Sequence, residues 1–418
     1  MDTSIVRQPI LNKEKKVVAY ELLYPQDSST LYNQRDFRVA NAIQSFFLEL
    51  DQSNFLGNKD AYLTFTPNLL MKNIPRIFSE KKLVIQIDDS IIIHPLAQKI
   101  IYRYKKQGYR LALNGFEFSP RYFGIMDVID IIKVNFSSLD KTAATKTINI
   151  ARSFQKKVVA YQVDSPEALK LAKELDCDFI QGTSVAELLN SSVRRMDHLQ
   201  SNFFQLIVAV TKDEPNLDEV ARLISQDVTL AYALIKMVNS AYFALRNKVK
   251  SIKQALTVLG LGQLKQWVYL LSFQGSEGDI SEELIRLSFL RGNLCQALAE
   301  TMENCPISRS EAYLLGMFST LGVLMQVPLE DALSSIAISD ELKAALIHRE
   351  GTCGSLLNLV LCYEKADWYT MRKSAKELNI PVDVVSQKYL DSAEYVNTIW
   401  ADLMNSFSEE ENSDSPNE

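Results

Sequence analysis

With 418 residues, a net charge of −6 and a sequence pI of about 5.4, the chain as a whole repels phosphate backbones and gains no general nucleic-acid affinity from counterion release. Its composition, 47% hydrophobic and 23% charged, is that of a globular protein, and its length exceeds one ordinary core, so about two domains are expected. Five scattered cysteines (Cys177, Cys295, Cys305, Cys353 and Cys362), odd in number and without a Cys-x-x-Cys spacing, read as reduced core thiols rather than as disulfides or a zinc site.

No signal peptide is recognisable and no apolar run reaches the roughly 18 residues of a membrane span, which predicts a cytoplasmic protein. The first half alternates short apolar runs with helical stretches. The runs are Val17–Leu23, Ala61–Phe65, Leu83–Ile87, Arg110–Leu113, Ile131–Val134, Val158–Tyr161 and Phe179–Gln181, with an extra candidate at Ile5–Ile10. Phe37–Leu50, Pro95–Gln107 and Pro166–Leu175 have helical periodicity. Such alternation predicts a parallel sheet, and this many strands favour a (β/α) barrel over an open sheet. About 190 residues is short for eight β/α units, so some helices should be trimmed.

In a barrel of this type the strand ends line the mouth, and here they read Glu21, Thr64, Gln86, Asn114, Lys133, Tyr161 and Gln181. One carboxylate among amides and hydroxyls is a poor ligand set for Mg²⁺ or Mn²⁺, which want several carboxylate oxygens. Asp88 and Asp89 follow the third of these runs, but adjacent strand residues point to opposite faces, so at most one can turn inward, and capping is the simpler role. A salt bridge between Lys133 and Glu21 is the structural alternative to a functional pair.

Arg7-Gln8-Pro9-Ile10, Tyr20-Glu21-Leu22-Leu23 and Gln181-Gly182, at these separations, resemble the EAL domain, the bacterial cyclic di-GMP phosphodiesterase barrel, over about residues 1 to 190. The resemblance implies a metal-binding role for Glu21, a catalytic role for Lys133 and a retained amide at Gln181. It also shows what has changed. Pro25 stands where the family has a substrate-binding Arg, Thr64 where it has a metal-binding Asn, and Gln86 where it has a ligand Glu. Asn114-Gly115 replaces its two metal-binding aspartates, Asn135 a further Asp, and Tyr161 a Glu. The implied barrel is degenerate as a two-metal hydrolase.

From Arg194 onward the pattern is helical. Asn216 caps an amphipathic stretch from Leu217 to Ile224, and Asp227 caps Val228–Val238. Ser251 and Gln254 form a capping box before Ile252–Leu259, which Gly260 ends. Further helices extend to about Phe407, with breaks at Pro306, Pro328, Gly351–Gly354 and Pro381. Ile224-Ser225-Gln226-Asp227, Lys236-Met237-Val238-Asn239-Ser240-Ala241-Tyr242-Phe243 and Ser251-Ile252-Lys253-Gln254-Ala255 resemble the HDOD domain, an all-helical relative of the HD phosphohydrolases, over roughly 195 to 395. Where a hydrolase would carry a metal-binding His-Asp pair, Ser319-Thr320 stands. His198 and His348 lack a second histidine at metal spacing and read as surface or helix-end residues, and Trp368 reads as core.

The sequence therefore predicts a trimmed EAL-like TIM-type barrel over 1–193, an all-helical HDOD domain over 194–400, and a disordered acidic tail over 408–418. No catalytic residue, metal or cofactor is expected. The leading expectation is an inactive regulatory protein of cyclic di-GMP signalling that works through other signalling proteins, with a homodimer left open and nucleic acid disfavoured. The alternatives are a cyclic di-GMP sensor that does not hydrolyse its ligand and, behind it, a phosphodiesterase. Candidate ligand-binding residues are Glu21, Gln86, Asn114, Lys133 and Gln181 at the mouth. Candidate partner-docking residues are Tyr242, Phe243, Arg246, Lys248 and Lys250, an aromatic and basic run of the kind enriched at interface hot spots.

Overall fold

The computed structural model describes residues 4–25, 54–88, 91, 95–116, 120–138, 140–183, 185, 199–212, 214–226, 228–239, 249, 251–274, 282–325, 327–334 and 338–413. The expected helix Phe37–Leu50, His198 and the cap at Asp227 lie outside the described residues, as do Asp89 and the docking residues Tyr242, Phe243, Arg246, Lys248 and Lys250.

Eight strands close into a barrel in sequence order: β1 Val6–Asn12, β2 Val17–Leu23, β3 Asp60–Thr64, β4 Leu83–Ile87, β5 Arg110–Leu113, β6 Ile131–Asn135, β7 Lys157–Tyr161 and β8 Phe179–Gln181. Strands β2 to β8 run parallel to one another, as the alternation predicts. The extra candidate is β1, and it runs antiparallel to both β2 and β8. The reason is local. Only four residues separate β1 from β2, far fewer than a parallel crossover needs. A tight turn closes the gap: Asn12 Oδ1 accepts from the backbone N–H groups of Glu14 and Lys16, and Lys15 adopts a left-handed φ of 61°.

Trimming is evident between strands. A five-residue helix and a 3₁₀ turn link β3 to β4, and a 3₁₀ turn, Pro120–Ile125, lies between β5 and β6. Full helices remain at Pro95–Lys106, Lys141–Ser153 and Pro166–Glu174, the last two capped by the Asp140 and Ser165 side chains.

The period-2 alternation of strands divides the barrel interior into layers. Ile10, Ala19, Tyr62, Val84, Ala112, Ile131 and Val159 pack as one apolar cluster. Two positions away from each on its strand stand Gln8, Glu21, Thr64, Gln86, Asn114, Lys133 and Tyr161, so a polar layer sits directly above an apolar one.

The first compact unit comprises residues 1–189 together with Leu361–Arg372 and Pro381–Leu390, two segments that the sequence assigns to the helical domain. The second comprises 190–360, Lys373–Ile380 and 391–418 and is helical throughout its described elements. Asn216 caps Leu217–Ser225 by accepting from the N–H groups of Asp218 and Glu219, and Ser251 Oγ accepts from Gln254 N–H. Gly260 kinks the stretch Ile252–Gln274 with φ 69°, and helix resumes beyond it.

Two expectations about breaks and ends need correction. Gly351–Gly354 does not interrupt a helix but opens one, Gly351–Glu364, because the preceding helix Asp340–His348 already ends at Arg349 in a left-handed conformation. Gly354 then packs so close that a Cβ would run into the Arg349 carbonyl. Helix Val382–Ser413 also continues past Ser408, where a disordered tail was expected, since Glu409, Glu410 and Glu411 are good helix formers and no Gly or Pro intervenes. All five cysteines are free, and burial pushes the thiols of Cys177 and Cys353 up to about 12. Among the described residues no helix is long and apolar enough to cross a membrane.

Candidate functional site

Within the polar layer of the barrel, Gln8, Thr64, Gln86, Lys133 and Gln181 form one hydrogen-bonded network centred on Glu21, which β2 turns inward next to the apolar cluster. Lys133 Nζ, from β6, lies 2.8 Å from Glu21 Oε2 and donates to Gln86 Oε1 at 3.0 Å. Gln86 Nε2 donates to Glu21 Oε1 at 2.6 Å and to Thr64 Oγ1 at 2.7 Å. Gln181 Nε2 donates to Glu21 Oε2 and, at 2.6 Å, to Gln8 Oε1. The Lys133 ammonium also sits 5.2 Å from the Tyr161 ring centroid, within cation–π range.

Every member of the central set is buried: Glu21 is 5% exposed, Lys133 and Gln181 1%, Gln86 0%. Burial by itself raises the Glu21 pKa, but the charge of Lys133 and the hydrogen bonds from Gln181, Lys133 and Gln86 outweigh it and hold the carboxyl below its usual range. Burial pushes the Lys133 ammonium below its usual value, against the opposing pull of Glu21.

Four of the five candidate mouth residues are thus in one cluster. Asn114 stands apart from these bonds; its Oδ1 is buried and accepts no hydrogen bond from the described residues, and the same is true of Gln181 Oε1. Gly115, which follows, has φ 65°, and a Cβ there would lie 3.5 Å from the Tyr161 hydroxyl. Gly182 is required by close packing, since a Cβ would collide with the Val163 carbonyl. Asn135 faces outward and accepts from Ser137 N–H. The residue that strand-end reading misses is Gln8. Its signal was the hairpin register, which sets it opposite Glu21.

These donors do not fit the divalent cations that the EAL resemblance implies. A Mg²⁺ or Mn²⁺ ion needs several oxygens free to coordinate it. Here the one carboxylate of the layer has both oxygens engaged by N–H donors, and an ammonium already stands beside it. Among the described residues no group of three or more His, Cys, Asp or Glu is placed to hold a metal ion.

The helical unit repeats the pattern. Thr320 is fully buried, and its hydroxyl lies 2.5 Å from that of Ser288. Ser319 Oγ donates to the Gly316 carbonyl and accepts from Arg291 Nη1 at 3.1 Å. A guanidinium beside the position is the opposite of what a cation site requires. His348 ends its helix, and Trp368 is half-buried with its ring edge-on to Tyr363 at 5.6 Å.

The EAL domain family matches residues 28–187 and the HDOD domain family residues 196–349. The uncharacterized protein YuxH of Bacillus subtilis is 29% identical over 413 residues, which cover 96% of this chain and 99% of YuxH. A Vibrio cholerae protein named cyclic di-GMP phosphodiesterase CdgJ is 27% identical over 397 residues, 93% of this chain and 91% of CdgJ. Among solved structures, an EAL domain protein from Listeria monocytogenes aligns with 43% of this chain and 85% of its own, at 18% identity and a TM-score of 0.34. A closed barrel of eight strands, a following helical region and two successive family matches lead to one conclusion: the chain belongs to the bacterial EAL–HDOD two-domain proteins.

Proposed function

We propose that the protein is a regulatory signalling protein that acts by binding other proteins and does not hydrolyse cyclic di-GMP. The observation that carries this reading is the internal satisfaction of Glu21 by Lys133, Gln86 and Gln181, which leaves neither oxygen of the polar layer's one carboxylate free of an N–H donor. Purified protein given cyclic di-GMP with Mg²⁺ or Mn²⁺ should show no turnover. Gln86→Glu should not restore it, because one added carboxylate still leaves a cation under-ligated. Metal-dependent turnover that vanished in Glu21→Ala would sink the proposal.

A second reading, binding of cyclic di-GMP without cleavage, draws on two observations. Asn114 Oδ1 and Gln181 Oε1 are buried acceptors without a donor among the described residues, which a guanine N–H could supply, and the name of the Vibrio relative connects that protein to the nucleotide. Calorimetric titration with cyclic di-GMP separates the two readings, since a protein-binding scaffold gives no heat of binding.

For the protein partner, the segment from Asn239 to Lys253 remains the proposed docking face. The Asn239 side chain holds the backbone of Val249 in both directions, donating to its carbonyl at 2.9 Å and accepting from its N–H at 2.7 Å. Lys253 pairs with Asp218 at 2.6 Å on the surface, so the probes chosen are Arg246, Lys248 and Lys250. Reversing those three to Glu should leave thermal stability nearly unchanged, as surface substitutions usually do, and should weaken recovery of partner proteins from a bacterial lysate. Equal recovery by the folded triple variant would rule this face out.

A further inference from the structure

The N-terminal half of β1 is an open edge of the barrel. Strand β8 is three residues long and pairs with β1 only at Ile10, Leu11 and Asn12, so among the described strands residues 6–9 pair with β2 alone. An open strand edge exposes N–H and C=O groups that must be satisfied some other way.

Two tyrosines from the far end of the chain do this. Tyr389 Oη accepts from the Arg7 backbone N–H at 3.3 Å, and Tyr363 Oη donates to the Ile5 carbonyl at 3.1 Å. Ser386 Oγ lies 2.9 Å from Ser4 Oγ. Both tyrosines are buried, at 1% and 0% exposure, with ring centroids 4.8 Å apart, and Tyr389 meets Phe55 edge-on at 6.1 Å. Arg7 completes the cluster by stacking its guanidinium 4.7 Å from the Tyr20 centroid and donating to the Phe55 carbonyl. The segments Leu361–Arg372 and Pro381–Leu390 therefore act as a strap, within the barrel unit, that substitutes for the missing length of β8.

Next to Arg7, which the strap holds from outside, Gln8 turns into the barrel and accepts from Gln181, whose other N–H reaches Glu21. One residue of strand thus separates the strap from the mouth network. The helix that carries Tyr389 runs on as Val382–Ser413, and from Asp391 it counts with the helical unit. We propose that the strap is a regulatory contact: by engaging or releasing the edge of β1 it tightens or loosens the hydrogen bonds around Glu21, whatever the mouth binds.

The test is amide hydrogen exchange on the full chain carrying Tyr363→Phe and Tyr389→Phe, which keep the rings and remove the two hydroxyls. Each lost hydrogen bond is worth about a factor of five in local opening. Exchange in residues 5–12 and in 179–182 should therefore rise by up to roughly 25-fold, while helices Leu199–Thr211 and Glu282–Ala299 stay as in the wild type. Unchanged protection in β1 overturns the proposal, as does an equal rise in every element, which would make the strap a mere contributor to overall stability. Should the double variant fail to fold, Ser386→Ala must still raise exchange at residues 4–8, and no change there overturns the proposal equally.

Discussion

Lys133→Met should lower the stability of the barrel by about 3–5 kcal/mol at neutral pH, the usual penalty for stranding one member of a buried ion pair. The side chains of Lys133 and Glu21 are 1% and 6% exposed, so water cannot take over the role of the lost ammonium. Glu21 keeps its bonds from Gln86 and Gln181, but these neutral donors do not balance a buried charge. The double variant Lys133→Met, Glu21→Leu should recover much of the loss, because replacing both partners removes the uncompensated charge. Urea unfolding of the four proteins in the cycle gives the coupling energy directly. If either single variant cost less than about 1 kcal/mol, the pair would not be the organising contact described here.

The pH dependence has a defined sign. Glu21 has a folded pKa below the ordinary carboxylate value of 4.5, so its ionised form contributes stability that is fully present above pH 4.5 and is lost as pH falls through the lowered folded value. In Lys133→Met the stranded carboxyl takes up a proton more readily, which relieves the penalty. The gap in melting temperature between wild type and variant should therefore be widest near pH 7 and shrink below pH 4.5. A gap that stayed constant to pH 3 would mean that the effect is one of packing alone.

How much of this was legible beforehand follows from the range of each interaction. Strand positions could be read because alternation is a local signal, and with them came the mouth residues, each two positions from an apolar neighbour. The direction of β1 depended on a turn without glycine, Asn12 to Lys16, whose Asx-type hydrogen bonds leave no strong signature in Lys13-Glu14-Lys15. A Glu21–Lys133 pair could be anticipated as an alternative, but the bridging of both by Gln86 depends on side-chain geometry. Least legible was the strap, since Tyr363 and Tyr389 meet β1 across more than 350 residues and nothing periodic in either segment announces it. The break expected at Gly351–Gly354 failed for a related reason: Gly354 is a glycine because of what it packs on, not because the chain breaks there.

The helical unit carries its own close approach, and Gly316→Ala is expected to be the most damaging single methyl in it. Helices Glu282–Ala299 and Arg309–Phe318 cross with glycines on both sides. A Cβ on Gly316 would land on the Arg291 carbonyl and the Gly292 nitrogen, and one on Gly292 would meet Tyr313 at 3.0 Å. Neither obstacle at Gly316 is a flexible side-chain end; both are backbone inside a helix, so the helices must separate. That separation also pulls Ser319 and Thr320 away from Arg291 and Ser288, whose hydrogen bonds at 3.1 and 2.5 Å span the same crossing. Overpacking typically costs 1–3 kcal/mol, and with those bonds weakened Gly316→Ala should reach about 3 kcal/mol. Gly262→Ala is the matched control, because a Cβ there meets nothing within 4 Å and the residue lies in helix. It should be neutral or stabilising by up to about 1 kcal/mol. Thermal or urea unfolding of the two variants side by side decides the matter: equal stabilities would show that the crossing yields without cost and that Gly316 is not what sets the distance between these helices.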